Sequence, residues 1–489
     1  MTGSLSRRAL LGALASLAAS EAVAGPVAVS LRPRLRPSSL GATSIDELVA
    51  RARLGGAAIS FAVFDAADGR FLEARDARRG QPPASSLKAI TAAYAHARLG
   101  GGHRFETRLL ASGEVRDGLL GGDLALVGGG DPTLDTPALA RLAEGLGAAG
   151  IERVGGRLVT DGGALPFVAK VDPDQADHLG YNPAVSGLNL NFNRVHFSWE
   201  RAGEAYVVAL DARAGPYAPA ITSARLRIEP RRLPVYTYRQ DEGGVDEWTV
   251  ARAALGEAGS RWLPVRNPSR YAADVLGSLA RASGAALPEG TEAPAPEGRE
   301  IARHASAPLA DVLGDMLLHS TNLTAEAVGL AASGDAVSLD ASARAMAAWA
   351  GPALGLDGAS LVDHSGLNEE SRVSAEAMAG AMVRLTPVHP VARRLKPFEM
   401  RDAAGAPMPG HPVRVLAKTG TLNFVSALAG FATPPSGRAL AFAVFVSDVS
   451  RRAAAEARGE EVPEGARAWN RRAKTLQQGL IERWAALYA

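Results

Sequence analysis

Apolar and polar positions along the chain change rhythm twice, dividing it into three stretches. In the first, residues 44–54 carry helical spacing. Residues 58–65 and 70–75 are two strand-like runs separated by a turn signal, Ala67-Asp68-Gly69, and predict a hairpin. A second helix is predicted over 85–99, rich in Ala and Leu with no internal Gly or Pro. The middle stretch, 105–263, is rich in turns and short strands, with Gly121-Gly122 and Gly128 to Gly130 as breakers and alternating runs at 194–199 and 205–210. One helix, 137–146, interrupts it. Helical texture then returns at 268–282, 308–319, 323–332, 338–350, 374–385 and 464–487, with strand-like runs at 413–417, 425–431 and 439–446.

Mixed α/β, then mostly β, then mixed α/β is the order expected when one domain is built from both ends of a chain around an insertion. The predicted division is 1–24 as a signal peptide, 25–104 and 265–489 as the two parts of the main domain, and 105–264 as the inserted β-rich block. A length of 489 residues suits two or three domains.

The first residues have the texture of an export signal. Arg7-Arg8 precede an uncharged run, 9–20, and Ala22-Val23-Ala24 supplies small residues for cleavage. Ser6-Arg7-Arg8-Ala9-Leu10-Leu11 resembles a twin-arginine signal, and an ordinary secretory signal with an arginine pair is the alternative. No run reaches the roughly 18 apolar residues of a membrane span, so no stable span is expected and the mature chain is read as periplasmic. A net charge of +2 gives no footprint for nucleic acid. With no cysteine, disulfides, thiolate metal sites and a thiol nucleophile are excluded. The nine histidines show no metal-ligand spacing, and no metal or cofactor is expected. Gly128-Gly129-Gly130 lacks the Gly-Lys-Ser/Thr of a phosphate loop. The arginine-rich stretch 451–472 reads as a solvated helix face.

Lysine is scarce: Lys88, Lys170, Lys396, Lys418 and Lys474 are the only five among 53 basic residues. A retained lysine is informative, because its ammonium loses a proton on burial and a guanidinium does not. Lys88 follows Ser85 by three residues near a helix start, which stacks the two side chains one turn apart. A helix start and partial burial both favour a neutral amine able to take the Ser85 proton. Alone, Ser-x-x-Lys is a weak motif, and a surface lysine on an ordinary helix explains it better. Ser320-Thr321-Asn322, at the junction of two predicted helices, doubles as a capping sequence. Lys418-Thr419-Gly420 is rarer; it is predicted to end one strand just before another, with Gly420 allowing a close backbone approach. Asp131 and Asp363 fit turn and capping roles better than catalytic ones. The three motifs occur in sequence and use two of the five lysines.

Ser-x-x-Lys, Ser-x-Asn and Lys-Thr-Gly in this order resemble the signature of penicillin-binding proteins and serine β-lactamases. Pro83-Ala84-Ser85-Ser86-Leu87-Lys88 and Ala417-Lys418-Thr419-Gly420-Thr421-Leu422 are similar to segments of the low-molecular-mass class C penicillin-binding proteins, the D-alanyl-D-alanine carboxypeptidase/endopeptidase family. Gly130-Asp131-Pro132-Thr133-Leu134, Leu188-Asn189-Leu190-Asn191 and Asp363-His364-Ser365-Gly366-Leu367 extend the likeness over nearly the whole mature chain. Three places depart from the pattern. Thr321 stands where Asp is frequent, 396–412 lacks a Gly-Thr-Leu element, and His364 and Asn368 alter a loop that usually reads Asp-Gly-Ser-Gly-Leu-Ser.

The resemblance implies an α/β (mixed α+β) transpeptidase-type fold, β-lactamase-like, with a large insertion. It implies a serine D-Ala-D-Ala carboxypeptidase, with endopeptidase action on cross-links as a second activity, working on peptidoglycan peptides without a cofactor and blocked covalently by β-lactams. By motif position, Ser85 is the nucleophile, Lys88 its base and Ser320 a proton relay. Asn322 holds the substrate peptide, Lys418 tunes its neighbours, and Thr419 and Gly420 flank the terminal carboxylate. The backbone N–H groups of Ser85 and Thr421 form the oxyanion hole. Two other readings stand beside it: a β-lactamase-like hydrolase, for which no Glu-x-x-Leu-Asn loop is found, and a non-catalytic wall-binding module.

Overall fold

The computed structural model describes residues 43–386, 389–402, 404–458 and 461–488. The expected signal at 1–24 lies outside them. A six-stranded sheet organises the molecule, with spatial order Lys396–Pro397, Arg414–Leu422, Val425–Thr433, Leu440–Ser447, Ala58–Asp65, Phe71–Arg75. Its strands come from both ends of the chain, and all its neighbours pair antiparallel.

The period-2 alternation of these strands explains how they are covered. On one face Phe61, Val63, Leu428, Phe442 and Val444 pack against Trp469, Leu476, Leu480 and Trp484 of the helix Ala466–Tyr488 and against the helix Ile45–Ala52. The other face presents mostly small residues, Ala62, Ala427, Ala429 and Ala443, with Phe445. Small side chains let helices lie close, and Lys88–Leu99, Leu309–His319, Asn322–Ser333 and Ala375–Leu385 fill that side. Leu440–Ser447, buried on both faces, has the continuous apolar pattern such a position demands.

A second unit occupies the middle of the chain. Its five-stranded sheet runs Gly290–Glu292, Leu158–Asp161, Leu124–Gly128, Glu106–Ala111, Arg299–Ala305, and the helices Thr136–Ala148 and Pro268–Ala282 pack on it through a separate core. Asp135 caps the first helix by accepting the N–H of Ala138 at 2.8 Å. Three three-stranded sheets complete the unit: Arg194–Ala202 between Ala205–Asp211 and Ala258–Pro264, Asp246–Ala251 between Ala224–Glu229 and Tyr236–Gln240, and the short Leu119–Leu120 between Val115–Arg116 and Arg153–Val154. The insertion therefore continues beyond the expected limit at 264. Its helix Pro268–Ala282 and the strand Arg299–Ala305, which pairs with Glu106–Ala111, carry it to residue 305. Leu165, Val168, Val171 and Val185 seat it on Leu323, Ala327, Leu330 and Leu367 of the main domain.

One further expectation is corrected by the packing. Arg452, expected on a solvated face, is buried at 2% exposure and pairs with Glu369 and Glu456. A guanidinium survives that burial because two carboxylates face it. Among the described residues no helix is long and apolar enough to cross a membrane.

Candidate active site

Pro83 introduces a 3-10 turn, Ala84–Leu87, which runs directly into the helix Lys88–Leu99. Residues 88–95 of that helix are buried, and their alanines allow neighbours on every side. Ser86 is buried and donates its hydroxyl to the carbonyl of Pro83 at 2.6 Å. Ser85, one position earlier, is partly open. The first helical residue, Lys88, is completely buried. Its Nζ lies 3.0 Å from Ser85 Oγ, 2.7 Å from Asn322 Oδ1 and 2.8 Å from the carbonyl oxygen of Ser365.

These three contacts decide what the amine can do. The amide oxygen and the backbone carbonyl are pure acceptors and each takes one N–H. Ser85 Oγ occupies the third direction. In the neutral amine that direction holds the lone pair, and Ser85 becomes the donor. Burial, and after it the positive charge of Lys418, pulls Lys88 from 10.5 to about 7, against the opposing pull of Glu326 and Asp363. Near neutral pH the amine is thus divided between its two forms.

Ser320 closes the helix Leu309–His319 in the left-handed region, φ 60°, ψ 38°. Lys418 Nζ donates to Ser320 Oγ at 2.8 Å and to the carbonyl of Thr419 at 2.9 Å. Burial first, then Lys396, lowers Lys418 to about 8. Asn322 opens the next helix. While its Oδ1 accepts from Lys88, its Nδ2 donates to the carbonyl of Tyr181 in the insertion at 2.9 Å. One side chain so ties the lysine to both units.

Lys418-Thr419-Gly420 was expected at a strand end and instead lies within the strand Arg414–Leu422. The strand's alternation leaves Thr419 and Thr421 exposed and turns Lys418 and Gly420 inward. A Cβ on Gly420 would sit 2.8 Å from both the Ser85 nitrogen and the Ala84 Cβ. Only glycine lets this strand lie against the backbone of the Ser85 turn. Ser85, Lys88 and Asn322 form one hydrogen-bonded group, Ser320, Lys418 and Thr419 a second, and Gly420 joins them.

A family model described as the D-Ala-D-Ala carboxypeptidase 3 (S13) family matches residues 42–463. The chain belongs to this family. It is 29% identical over 486 residues to a D-alanyl-D-alanine carboxypeptidase of Actinomadura sp., covering 86% of each chain. To the D-alanyl-D-alanine carboxypeptidase DacB of Haemophilus influenzae it is 25% identical over 403 residues, covering 75% of this chain and 80% of that one. The crystal structure of penicillin binding protein 4 (dacB) from Haemophilus influenzae superposes with a TM-score of 0.69 at 21% identity, covering 83% of this chain and 93% of that one. The penicillin-binding, β-lactamase-like fold follows from that superposition, and the family makes the chain a serine-type carboxypeptidase, a hydrolase.

Behind the motif residues of this carboxypeptidase lies a buried layer that the motifs did not reveal. Glu326, four residues after Asn322 on the same helix face, accepts the N–H of Ser365 at 2.9 Å and that of His364 at 2.8 Å. It thereby fixes the Ser365 carbonyl on Lys88. Burial, then Asp363, pushes Glu326 up to about 8. Asp363 accepts from the Ser371 hydroxyl and from the N–H of Asn368, both at 3.0 Å, which is the turn role expected of it. Asp131 likewise accepts from Thr133 through its N–H and hydroxyl. The spacing of Asn322 and Glu326 was the available signal for this layer.

His364, the departure from the family loop, does not line the cleft. It is fully buried, pairs through Nε2 with Ser342 Oγ at 2.7 Å, and burial pulls it down to about 3, so it is neutral. Its ring lies where a Cβ on Gly329 would be, 2.2 Å from the nearest ring atom. The histidine and that glycine fit each other across two elements.

Proposed function

We propose that this chain removes a terminal D-alanine from peptidoglycan stem peptides through an acyl-enzyme on Ser85. The observation that carries the reading is the contact of Ser85 Oγ with a fully buried Lys88 whose other two directions are taken by acceptors. Neutral Lys88 takes the Ser85 proton as Oγ bonds to the carbonyl carbon of the penultimate D-alanine. The oxyanion rests on the N–H groups of Ser85 and Thr421, a role supported by the close approach of Gly420 to the Ser85 nitrogen. When the C–N bond breaks, the leaving amine takes a proton through Ser320, which Lys418 holds. Thr419, exposed beside it, grips the departing carboxylate. Asn322 positions both Lys88 and the substrate amide. Water then hydrolyses the ester and restores Ser85.

In this reading β-lactams acylate the same serine, as a β-lactam complex of the Haemophilus influenzae protein suggests by likeness. Residues 1–24 direct export to the periplasm, supported by Arg7-Arg8 and the uncharged run after them. The test is D-alanine release from a pentapeptide ending in D-Ala-D-Ala. The parent releases it and Ser85→Ala does not; release by a folded Ser85→Ala protein would reject the proposal.

A further inference from the structure

Three successive residues that are not glycine, Asn191, Phe192 and Asn193, stand in the left-handed region, with φ of 51°, 56° and 49°. They overlap Leu188-Asn189-Leu190-Asn191, a motif that the active site leaves unused. Asparagine tolerates that region and phenylalanine does not favour it. The two asparagines hold the turn. Asn191 Nδ2 donates to Thr136 Oγ1 at 2.8 Å and to the Tyr271 hydroxyl at 3.1 Å. Asn193 Nδ2 donates to the carbonyl of Ala184 at 2.9 Å and to Asn189 Oδ1 at 2.8 Å. Phe192, between them, is half-buried, and its ring centroid lies 5.2 Å from the guanidinium carbon of Arg194. Strain of this kind persists only where the surrounding structure imposes it, and it clusters at ligand clamps.

Trp262 is the second aromatic neighbour of Arg194, its ring centroid 5.6 Å from the same carbon. The Nε of Arg194 is buried without a hydrogen-bond partner, and among the described residues no carboxylate pairs with its guanidinium. Other arginines of the insertion are paired: Arg201 with Glu257, Arg213 with Asp211, Arg261 with Glu461 and Arg270 with Glu289. His196, 8% exposed, sets its ring edge-on to Trp262 at 5.0 Å. Its Nδ1 is also buried without a hydrogen bond, 3.9 Å from Asp211 Oδ1.

Strand register fixes the surroundings. His196 stands between Asp211 and Trp262, and Ser198 between Ala209 and Ser260, on the face turned away from Phe197 and Leu263, which enter the core. Trp262 is 37% exposed, and Ala209 and Ser260 are exposed, so the face continues from the indole as an open strip of small side chains. The cleft lies one backbone segment away. A Cβ on Gly180 would meet Arg194 Cδ at 3.5 Å and the Trp262 carbonyl oxygen at 2.7 Å. The next residue, Tyr181, holds Asn322 through its carbonyl.

We propose that Arg194, His196 and Trp262 form a saccharide subsite for the glycan strand of the wall, taking a muramic acid whose lactyl carboxylate carries no stem peptide. A pyranose ring presents a face of C–H groups, which the exposed indole covers. A guanidinium left without an acceptor suits a carboxylate, whose two oxygens match its fork of N–H donors. Ser198 and Ser260 offer hydroxyls to the sugars that follow along the strip. This assignment rests on the peptidoglycan reading above and gives the insertion a role in it. A strand seated there raises the effective concentration of its neighbouring stem peptides at Ser85.

The experiment is isothermal titration of the protein, its cleft closed by penicillin, with three probes. Stem-free oligosaccharides of N-acetylglucosamine and N-acetylmuramic acid carry sugar and carboxylate, chitin oligosaccharides of equal length carry sugar alone, and a stem pentapeptide carries carboxylates alone. The stem-free glycan is expected to bind at least about tenfold tighter than chitin, the lower end for a hydrogen bond to a charged group, and the pentapeptide not to bind. Arg194→Gln lowers the glycan to the chitin level and leaves chitin unchanged, Arg194→Lys keeps part of the preference, and Trp262→Ala weakens both saccharides. Penicillin labelling of Ser85 checks that each variant is folded, and the comparison of probes on the parent needs no substitution. Equal affinity for glycan and chitin in the parent, a parent-like preference in Arg194→Gln, tighter binding of the pentapeptide, or no heat with any probe overturns the inference. The glycan titration reads the same without penicillin. A protein that penicillin fails to label therefore rejects the function above, while the titration alone decides this subsite.

Discussion

Replacing Lys88 by arginine removes one property and keeps another: the positive charge stays, and the ability to lose a proton near neutral pH goes. Lys88 is lowered from 10.5 to about 7, first by burial. About half of it is neutral at pH 7, against roughly one part in 3,000 for a lysine at its ordinary value, so burial supplies on the order of 10³ in available base. A guanidinium with a pKa above about 12 is neutral in fewer than roughly one molecule in 10⁵. Loss of a general base costs about 10²–10⁴-fold, and acylation by penicillin should fall by at least that much. Lys418→Arg should keep more activity. The two acceptors of Lys418, Ser320 Oγ and the Thr419 carbonyl, require only a cationic donor. The assay is the second-order acylation rate from about pH 5.5 to about pH 9 on parent and variants, each first shown to be folded. In the parent the rate rises through about 7 as Lys88 loses its proton, then bends down above about 8 as Lys418 loses its own. A Lys88→Arg protein that acylates near the parent rate, or a parent rate flat across that range, refutes the assignment of Lys88 as base.

Three further outcomes follow from named contacts. Gly329→Ala places a methyl against the His364 ring and should cost about 1–3 kcal/mol of stability in urea, partly regained in Gly329→Ala/His364→Ala; parent-like stability of the single variant would show that the packing argument fails. Glu461, held at about 2 first by His178 and then by Arg261, is half exposed and should contribute about 1 kcal/mol after screening. Because its folded value is depressed, that contribution is complete above the unfolded carboxylate value, about 4.3, and is lost as pH falls toward the folded one. Denaturant titrations should therefore separate Glu461→Gln from the parent at pH 7 and converge below about pH 4; a gap that widens in acid contradicts the pairing. Gly420→Ala forces the Lys418 strand off the Ser85 turn and should slow acylation at least about tenfold with the fold retained, a general base being sensitive to reach. A parent rate in that variant would mean that the close approach is dispensable.

Most elements were legible because local patterns specify them. The hairpin Ala58–Asp65 and Phe71–Arg75, the helix Pro268–Ala282 and the helix around Lys88 all carry their own periodicity and punctuation. The limit of the insertion was not legible. Arg299–Ala305 follows helices and turns that give no hint that its partner is Glu106–Ala111, a pairing set by packing between distant parts of the chain. The strand through Lys418-Thr419-Gly420 was cut short for a related reason. Its alternation of exposed Thr and buried Lys or Gly is not an apolar alternation, and burial of Lys418 depends on Ser320 arriving from another element. Arg452 was read as solvated because nothing local announces that Glu369 comes to meet it. In the site, the spacing of Ser85 and Lys88 was visible, whereas the carboxylate of Glu326 acquires meaning only when the loop 363–366 folds onto it.

A peptide map of the penicillin-treated protein shows whether Ser85 is the nucleophile. One covalent adduct is expected on the peptide containing Ser85 and Ser86, with fragmentation placing it on Ser85. Ser86 is buried with its hydroxyl committed to the Pro83 carbonyl, so it is not the labelled residue. An adduct on Ser86, on Ser320 or on any other serine, or no adduct on a folded protein, would mean that Ser85 is not the nucleophile.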